Sequence, residues 1–156
     1  MFTLSSSAFA PGGAIPKRYT CDDANVSPPL AWSGAPAGAK SFALIVDDPD
    51  APDPAAPKRV YVHWVLYDIP ATVAELTEGG ARASNVSGAH DGLNDDKGRG
   101  YTGPCPPIGR HRYFHKLYAL DALLGDLGAE ARKADVERAM AGHVLATAEL
   151  MGTYSR

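Results

Sequence analysis

Apolar positions along the chain fall into three strand-like runs and one helical run, separated by long stretches of turn chemistry. Ser41-Phe42-Ala43-Leu44-Ile45-Val46 is apolar on both faces, and Asp47-Asp48-Pro49-Asp50-Ala51-Pro52 ends it sharply. A short run of this kind reads as a buried central strand. Residues 53–59 form a proline-rich loop. Val60 to Ile69 is rich in β-branched and aromatic residues, which suit a pleated surface. Period two places Val60, Val62, Trp64 and Leu66 on one face and Tyr61, His63, Val65 and Tyr67 on the other, before Pro70 ends the run. Arg112 to Leu120 reads as a third strand, with His111, Tyr113, His115, Leu117 and Ala119 on one face.

The period then changes. Val136, Met140, His143, Val144, Thr147, Ala148 and Met151 recur at steps of three and four, which predicts an amphipathic helix over 134–151. Asp135 is its best N-cap candidate and Gly152 its stop. Residues 11–38 are a Pro- and Gly-studded connection with short extended pieces. Residues 77–109 hold no periodic segment, and Gly88 to Gly100 is turn chemistry. The expected class is mainly β (α+β), in one domain spanning 1–156.

Composition narrows the function classes. The net charge is −3, and Lys and Arg are scattered, so no basic stripe marks a nucleic-acid partner. No apolar run approaches the 18 or so residues of a membrane helix, and no transmembrane segment is expected. Residues 1–10 end in a faint A-x-A pattern but lack the basic and long apolar regions of a signal peptide, which favours a cytoplasmic protein. The two cysteines, Cys21 and Cys105, have no C-x-x-C or zinc spacing. In a reducing compartment they default to free thiols, although both sit in loop-like surroundings. The Asn-x-Ser matches at Asn25 and Asn85 are read as chance.

The histidines raise metal chemistry first. His111 and His115 have a spacing that binds zinc on a helix, but four strand residues span about 13 Å, too far for one ion. His143, mid-helix on the apolar side, reads as a packed core histidine, and His90 as a solvated loop residue. The loop with Asp91, Asn94, Asp95 and Asp96 lacks the order of a calcium loop and reads as turns. No G-x-S-x-G nucleophile motif is present. What remains is Asp48 with Asp50, His63 inside an apolar strand, and His111 with Tyr113 after the stiff loop Gly103-Pro104-Cys105-Pro106-Pro107-Ile108-Gly109-Arg110. A histidine in an apolar strand needs polar partners.

At these residues the sequence resembles the phosphatidylethanolamine-binding protein family, in its bacterial Raf-kinase-inhibitor-like branch. Asp48-Pro49-Asp50-Ala51-Pro52 with the His63-Trp64 strand carries half of the match. Gly103-Pro104-Cys105-Pro106-Pro107 leading into Gly109-Arg110-His111-Arg112-Tyr113 carries the other. Tyr19-Thr20-Cys21-Asp22, Ser27-Pro28-Pro29-Leu30, Ser33-Gly34-Ala35-Pro36 and Gly142-His143-Val144-Leu145-Ala146 through Gly152-Thr153-Tyr154 agree, so the similarity covers nearly the whole chain. The resemblance implies a β-sandwich-like core with flanking helices and a small anion pocket at one end. Asp48, His63, His111 and Tyr113 would line it, with Pro106 or Pro107 on its wall and Asp50 supporting the first loop. Only Ile108, Gly109 and Arg110 separate Pro107 from His111, a departure that leaves both prolines open.

By the same resemblance the ligand is a small anion or phospholipid head group, with no cofactor. The partner is a protein kinase or protease that the module inhibits or scaffolds, and a homodimer stays open. Cys21 and Cys105 flank the two signature loops and are expected to approach each other, with a bridge left open. In this picture the two imidazoles and the Tyr113 hydroxyl donate to the anion, and Asp48 fixes a histidine tautomer. Arg110 or Arg112 either adds charge at the mouth or is a surface arginine. Two alternatives compete: a hydrolase or phosphoesterase using Asp48 and His111 as acid and base, and a structural interaction protein with a vestigial pocket.

Overall fold

The computed structural model describes residues 1–79 and 86–156. Its elements are β1 (Thr3–Ser5), a 3₁₀ turn (Lys17–Tyr19), β2 (Leu30–Ser33), β3 (Ser41–Ala51), β4 (Arg59–Pro70), β5 (Glu75–Leu76), β6 (His90–Asp91), β7 (His111–Leu120), α1 (Lys133–Met140) and β8 (Val144–Tyr154). The strands form two antiparallel sheets, ordered β1-β2-β5 and β6-β4-β3-β7-β8. Asn85, one of the Asn-x-Ser matches, lies outside the described residues.

β3 is the spine of the larger sheet, as its apolar run predicts, but it does not stop at Val46. It continues to Ala51 with every residue buried except Pro49. The ladder to β7 ends at Asp47↔Phe114, and the pairing with β4 shifts between Asp48 and Ala51. Proline lacks an N–H and is tolerated in a sheet at such an irregularity. Asp47 is buried beneath two ammonium groups, with Lys116 Nζ and Lys133 Nζ donating to its carboxylate at 3.3 and 2.8 Å. The second of these contacts fastens α1 to the sheet.

β4 departs from period two at one residue that matters. Val46 pairs with Trp64 while Asp47 pairs with Val62, so His63 is an extra residue in β4, a β-bulge. The predicted faces therefore break there. Trp64, Leu66 and Ile69 join the layer between the two sheets, where Leu4, Leu30, Trp32 and Leu76 meet Phe42, Leu44, Tyr113, Leu117 and Leu150. Val62, Val65 and Tyr67 turn to the opposite face and pack with Ala43 and Ile45 under Val136 and Met140 of α1. The result is a β-sandwich with a helix on one outer face. β7 keeps its predicted alternation, with His111, Tyr113, His115, Leu117 and Ala119 all buried.

The helix predicted over 134–151 is a correction. α1 ends at Met140, and Val144–Tyr154 is β8, paired with β7 from His111↔Tyr154 to Leu120↔Val144. Gly142, at φ 83°, turns the chain between them. Ala148, Leu150 and Gly152 alternate inward, a period-two pattern that overlaps the helical one, and pairing with β7 decides between them. Asp135 is not the N-cap: Arg132 is, and the Asp135 carboxylate accepts the Arg132 backbone N–H at 2.9 Å. Gly152 is a strand residue, not a helix stop. A Cβ there would stand 2.6 Å from Ile15 and 2.7 Å from Phe9. His143 is exposed in the turn, and its Nδ1 donates to the Asp121 carboxylate at 2.8 Å, so it is no core histidine. The His90 ring packs tilted against Tyr67 at 5.2 Å and lies 3.6 Å from Asp68, so it is partnered and not merely solvated.

Candidate ligand-binding cleft

The bulge at His63, the irregular end of β3 and the start of β7 lie at one end of the larger sheet. Together with the loops around Cys21 and Pro106 they enclose a cleft of about 360 Å³. Asp48, His63, His111 and Tyr113 line it, and so do both Pro106 and Pro107. Asp50 does not line it. Its carboxylate lies behind the wall, accepting from Arg112 N at 2.9 Å, Arg112 Nε at 3.0 Å and Arg112 Nη2 at 2.9 Å. The Arg112 guanidinium holds the Asp50 carboxyl below its ordinary range. Arg112 is thereby committed to the scaffold and not to the mouth.

His111 is closed on itself. Its Nδ1 lies 2.6 Å from Asp48 Oδ2, and its Nε2 lies 3.1 Å from the Pro52 carbonyl and 2.9 Å from the Ile108 carbonyl. Carbonyls only accept, so Nε2 carries a proton, and the Nδ1–Asp48 contact holds a further one between two acceptor atoms. The Asp48–His111 pair is therefore neutral as a unit. The other Asp48 oxygen accepts from Asp50 N at 2.7 Å. The ring borders the cleft, yet both of its nitrogens face protein acceptors.

His63 is arranged differently. Its Nδ1 donates to the Thr102 carbonyl at 2.8 Å, while Thr102 N donates to the His63 carbonyl at 2.9 Å. Nε2 has no protein partner among the described residues. Burial pushes the ring's pKa below its ordinary value, outweighing the Thr102 hydrogen bond and the nearby aspartates that pull it up. A neutral ring with Nδ1 donating presents Nε2 as an acceptor. The Tyr113 ring packs edge-on against His63 at 5.2 Å, and burial keeps its hydroxyl neutral by raising its pKa.

The rest of the wall carries no motif that marks it in the sequence. Asn25, Arg59, Tyr61, Asp96 and Thr102 also line the cleft. Arg59 bridges Asp95 at 3.1 Å and lies over the Tyr61 ring. Asp96 and Thr102 come from the 77–109 region, where turn chemistry carries no period to read. Asn94 organises it, accepting from Asp96 N at 2.9 Å and Gly98 N at 3.1 Å. Cys21 and Cys105 are joined in a disulfide, with their Cα atoms 5.4 Å apart, and both border the cleft.

A two-sheet sandwich with a cleft lined by buried Asp, His and Tyr side chains at one end is the architecture of a binding module. The family model for phosphatidylethanolamine-binding protein matches residues 5–155. A UPF0098 protein of Methanothermobacter thermautotrophicus is 51% identical, with 98% of each chain covered. The crystal structure of a putative phosphatidylethanolamine-binding protein homolog, CT736, from Chlamydia trachomatis superposes with TM-score 0.90 at 42% identity, covering 99% of this chain and 97% of that one. Escherichia coli YbcL superposes with TM-score 0.88 at 33% identity, covering 99% and 98%. The chain belongs to the phosphatidylethanolamine-binding protein family.

Proposed function

We propose that the protein is a regulatory binding module whose cleft takes a small phosphate-type anion, free or as a phospholipid head group, together with one proton. The observation that carries this reading is the different use of the two histidines. A general acid or base must reach the proton that it moves. Both His111 nitrogens and both Asp48 oxygens are engaged within the protein, which disfavours the pair as the acid and base of a phosphoesterase. His63 Nε2 is the ring nitrogen left for a ligand. Inorganic phosphate or a monoester as the monoanion meets it with its own P–OH, and a dianion or a phosphodiester head group does so by drawing a proton onto the ring. Either way the complex holds a charge-assisted hydrogen bond. The Tyr113 hydroxyl is a neutral donor for a second oxygen. A protein kinase or protease as regulated partner enters this proposal from the family resemblance, and the cytoplasm as setting from the N-terminal sequence pattern.

Titration calorimetry of inorganic phosphate and phosphorylethanolamine, beside a turnover assay with p-nitrophenyl phosphate, tests the proposal. Saturable binding without turnover is the expected result. Turnover abolished by Asp48→Asn would replace it with the hydrolase reading. No binding of either anion would leave the cleft vestigial.

A further inference from the structure

We infer that the Cys21–Cys105 disulfide is a reversible latch on the cleft, so that reduction by a dithiol loosens one wall and weakens binding. The inference rests on the binding proposal above for its functional consequence, but not for its structural one. Both sulfurs belong to residues that border the cleft, and both cysteines are exposed and open to a reductant.

One stretch of the wall is held by that bond and by the burial of Pro106, with no hydrogen bond among the described residues. Residues 101–104 are hydrogen-bonded to the 19–25 segment and to β4. Tyr101 Oη donates to the Tyr19 carbonyl at 2.6 Å, Gly103 N to Asn25 Oδ1 at 2.8 Å, and Cys21 N to the Pro104 carbonyl at 3.1 Å. After Pro104 the attachments change in kind. Pro106 and Pro107 have no N–H to donate. Cys105 has no partner other than its disulfide among the described residues. The next tie is the Ile108 carbonyl accepting from His111 Nε2 at 2.9 Å. Between Pro104 and Ile108, therefore, the cleft wall is pinned to the body of the protein at Cys105 by a covalent bond in place of hydrogen bonds.

Breaking the bond does not dismantle the rest of the site. The Asp48–His111 contact, the His63–Thr102 pair and the Gly103–Asn25 contact involve no sulfur. The chemistry balances as thiol–disulfide exchange. One thiolate of the dithiol attacks a cysteine sulfur, forming a mixed disulfide and releasing the other cysteine as a thiolate. The second reductant thiolate then resolves that mixed disulfide. The dithiol becomes a disulfide, and the protein gains two electrons and two protons as two thiols. Reducing and oxidising compartments would thus set two levels of affinity in one chain.

The test titrates inorganic phosphate and phosphorylethanolamine into the oxidised protein, into protein reduced by dithiothreitol with two thiols counted per chain, and into the Cys21→Ser/Cys105→Ser variant. Amide exchange is read across residues 105–110 in each state, with far-ultraviolet circular dichroism as the check on folding. Expected are affinity about tenfold weaker on reduction, recovery on reoxidation, a variant fixed in the weak state, and faster exchange confined to 105–110. Equal affinity and equal exchange in both redox states would overturn the latch, and so would loss of the sheet on reduction. If the oxidised protein binds neither anion, the binding proposal fails while the exchange difference still decides the latch.

Discussion

Asp48 and His111, 63 residues apart in sequence, meet at 2.6 Å with side chains 4% and 1% exposed. Every hydrogen-bonding atom of both side chains has a protein partner. Removing the ring strands a buried carboxylate and two carbonyls. Breaking a buried pair by deleting one member typically costs about 3–5 kcal/mol. His111→Ala is expected to lower unfolding stability by about that much, and Asp48→Asn/His111→Ala to lower it by less than the sum of the single changes. Urea unfolding of the four proteins measures both. A His111→Ala cost under about 1 kcal/mol would mean the pair is not closed.

His115 gives the fold an acid limit. It is buried, its Nδ1 donates to the Leu150 carbonyl at 3.1 Å, and burial pushes its pKa down to about 4. In the unfolded chain the ring titrates near 6.5. Between those values the unfolded state binds a proton that the folded state refuses, so stability rises with pH across the window. This contribution is full above about pH 6.5 and lost as pH falls to about 4, on the order of 3 kcal/mol. Urea midpoints from pH 7 down to pH 4 are expected to fall less steeply in His115→Gln than in the native protein. Equal slopes would place the acid sensitivity elsewhere.

Gly103 supports the cleft wall by having no side chain. A Cβ there would lie 2.2 Å from the Tyr19 carbonyl oxygen and 2.4 Å from Asn25 Oδ1. Both neighbours are fixed, the first by accepting from Tyr101 Oη and the second by accepting from Gly103 N itself. Gly103→Ala is expected to displace the wall and cost about 1–3 kcal/mol of stability, read by thermal unfolding, with anion affinity falling in parallel. A variant as stable as the parent would show that the loop relaxes freely.

Much of this fold is legible locally. β3 and the buried face of β7 follow from runs whose neighbours on both sides are apolar, so tertiary context does not contradict local pattern. The bulge at His63 is not legible, because period two carries no mark of an inserted residue. It appears only when β4 is paired with β3, and it aims His63 into the cleft. The exchange of helix for strand at Val144–Tyr154 has a similar cause. Ala148 satisfies both periods, and β7, 24 residues earlier at its nearest pair, settles the choice. Gly142 was the local signal that a turn intervenes. At the site, the residue types could be named from motif resemblance, but which histidine nitrogen faces the cleft depends on the Pro52, Thr102 and Ile108 carbonyls. Backbone acceptors leave no trace in side-chain identity.

In the proposed complex His63, and not His111, shares a proton with the bound anion. Calorimetry at about pH 8, where phosphate is largely a dianion and a free imidazole is neutral, tests it most directly when run in two buffers of different ionisation enthalpy. Expected is uptake of close to one proton per phosphate bound, with affinity that falls as pH rises toward that value. In His63→Gln the uptake is expected to vanish and the affinity to drop about tenfold. Binding with no proton uptake, or uptake unchanged in His63→Gln, would contradict the claim.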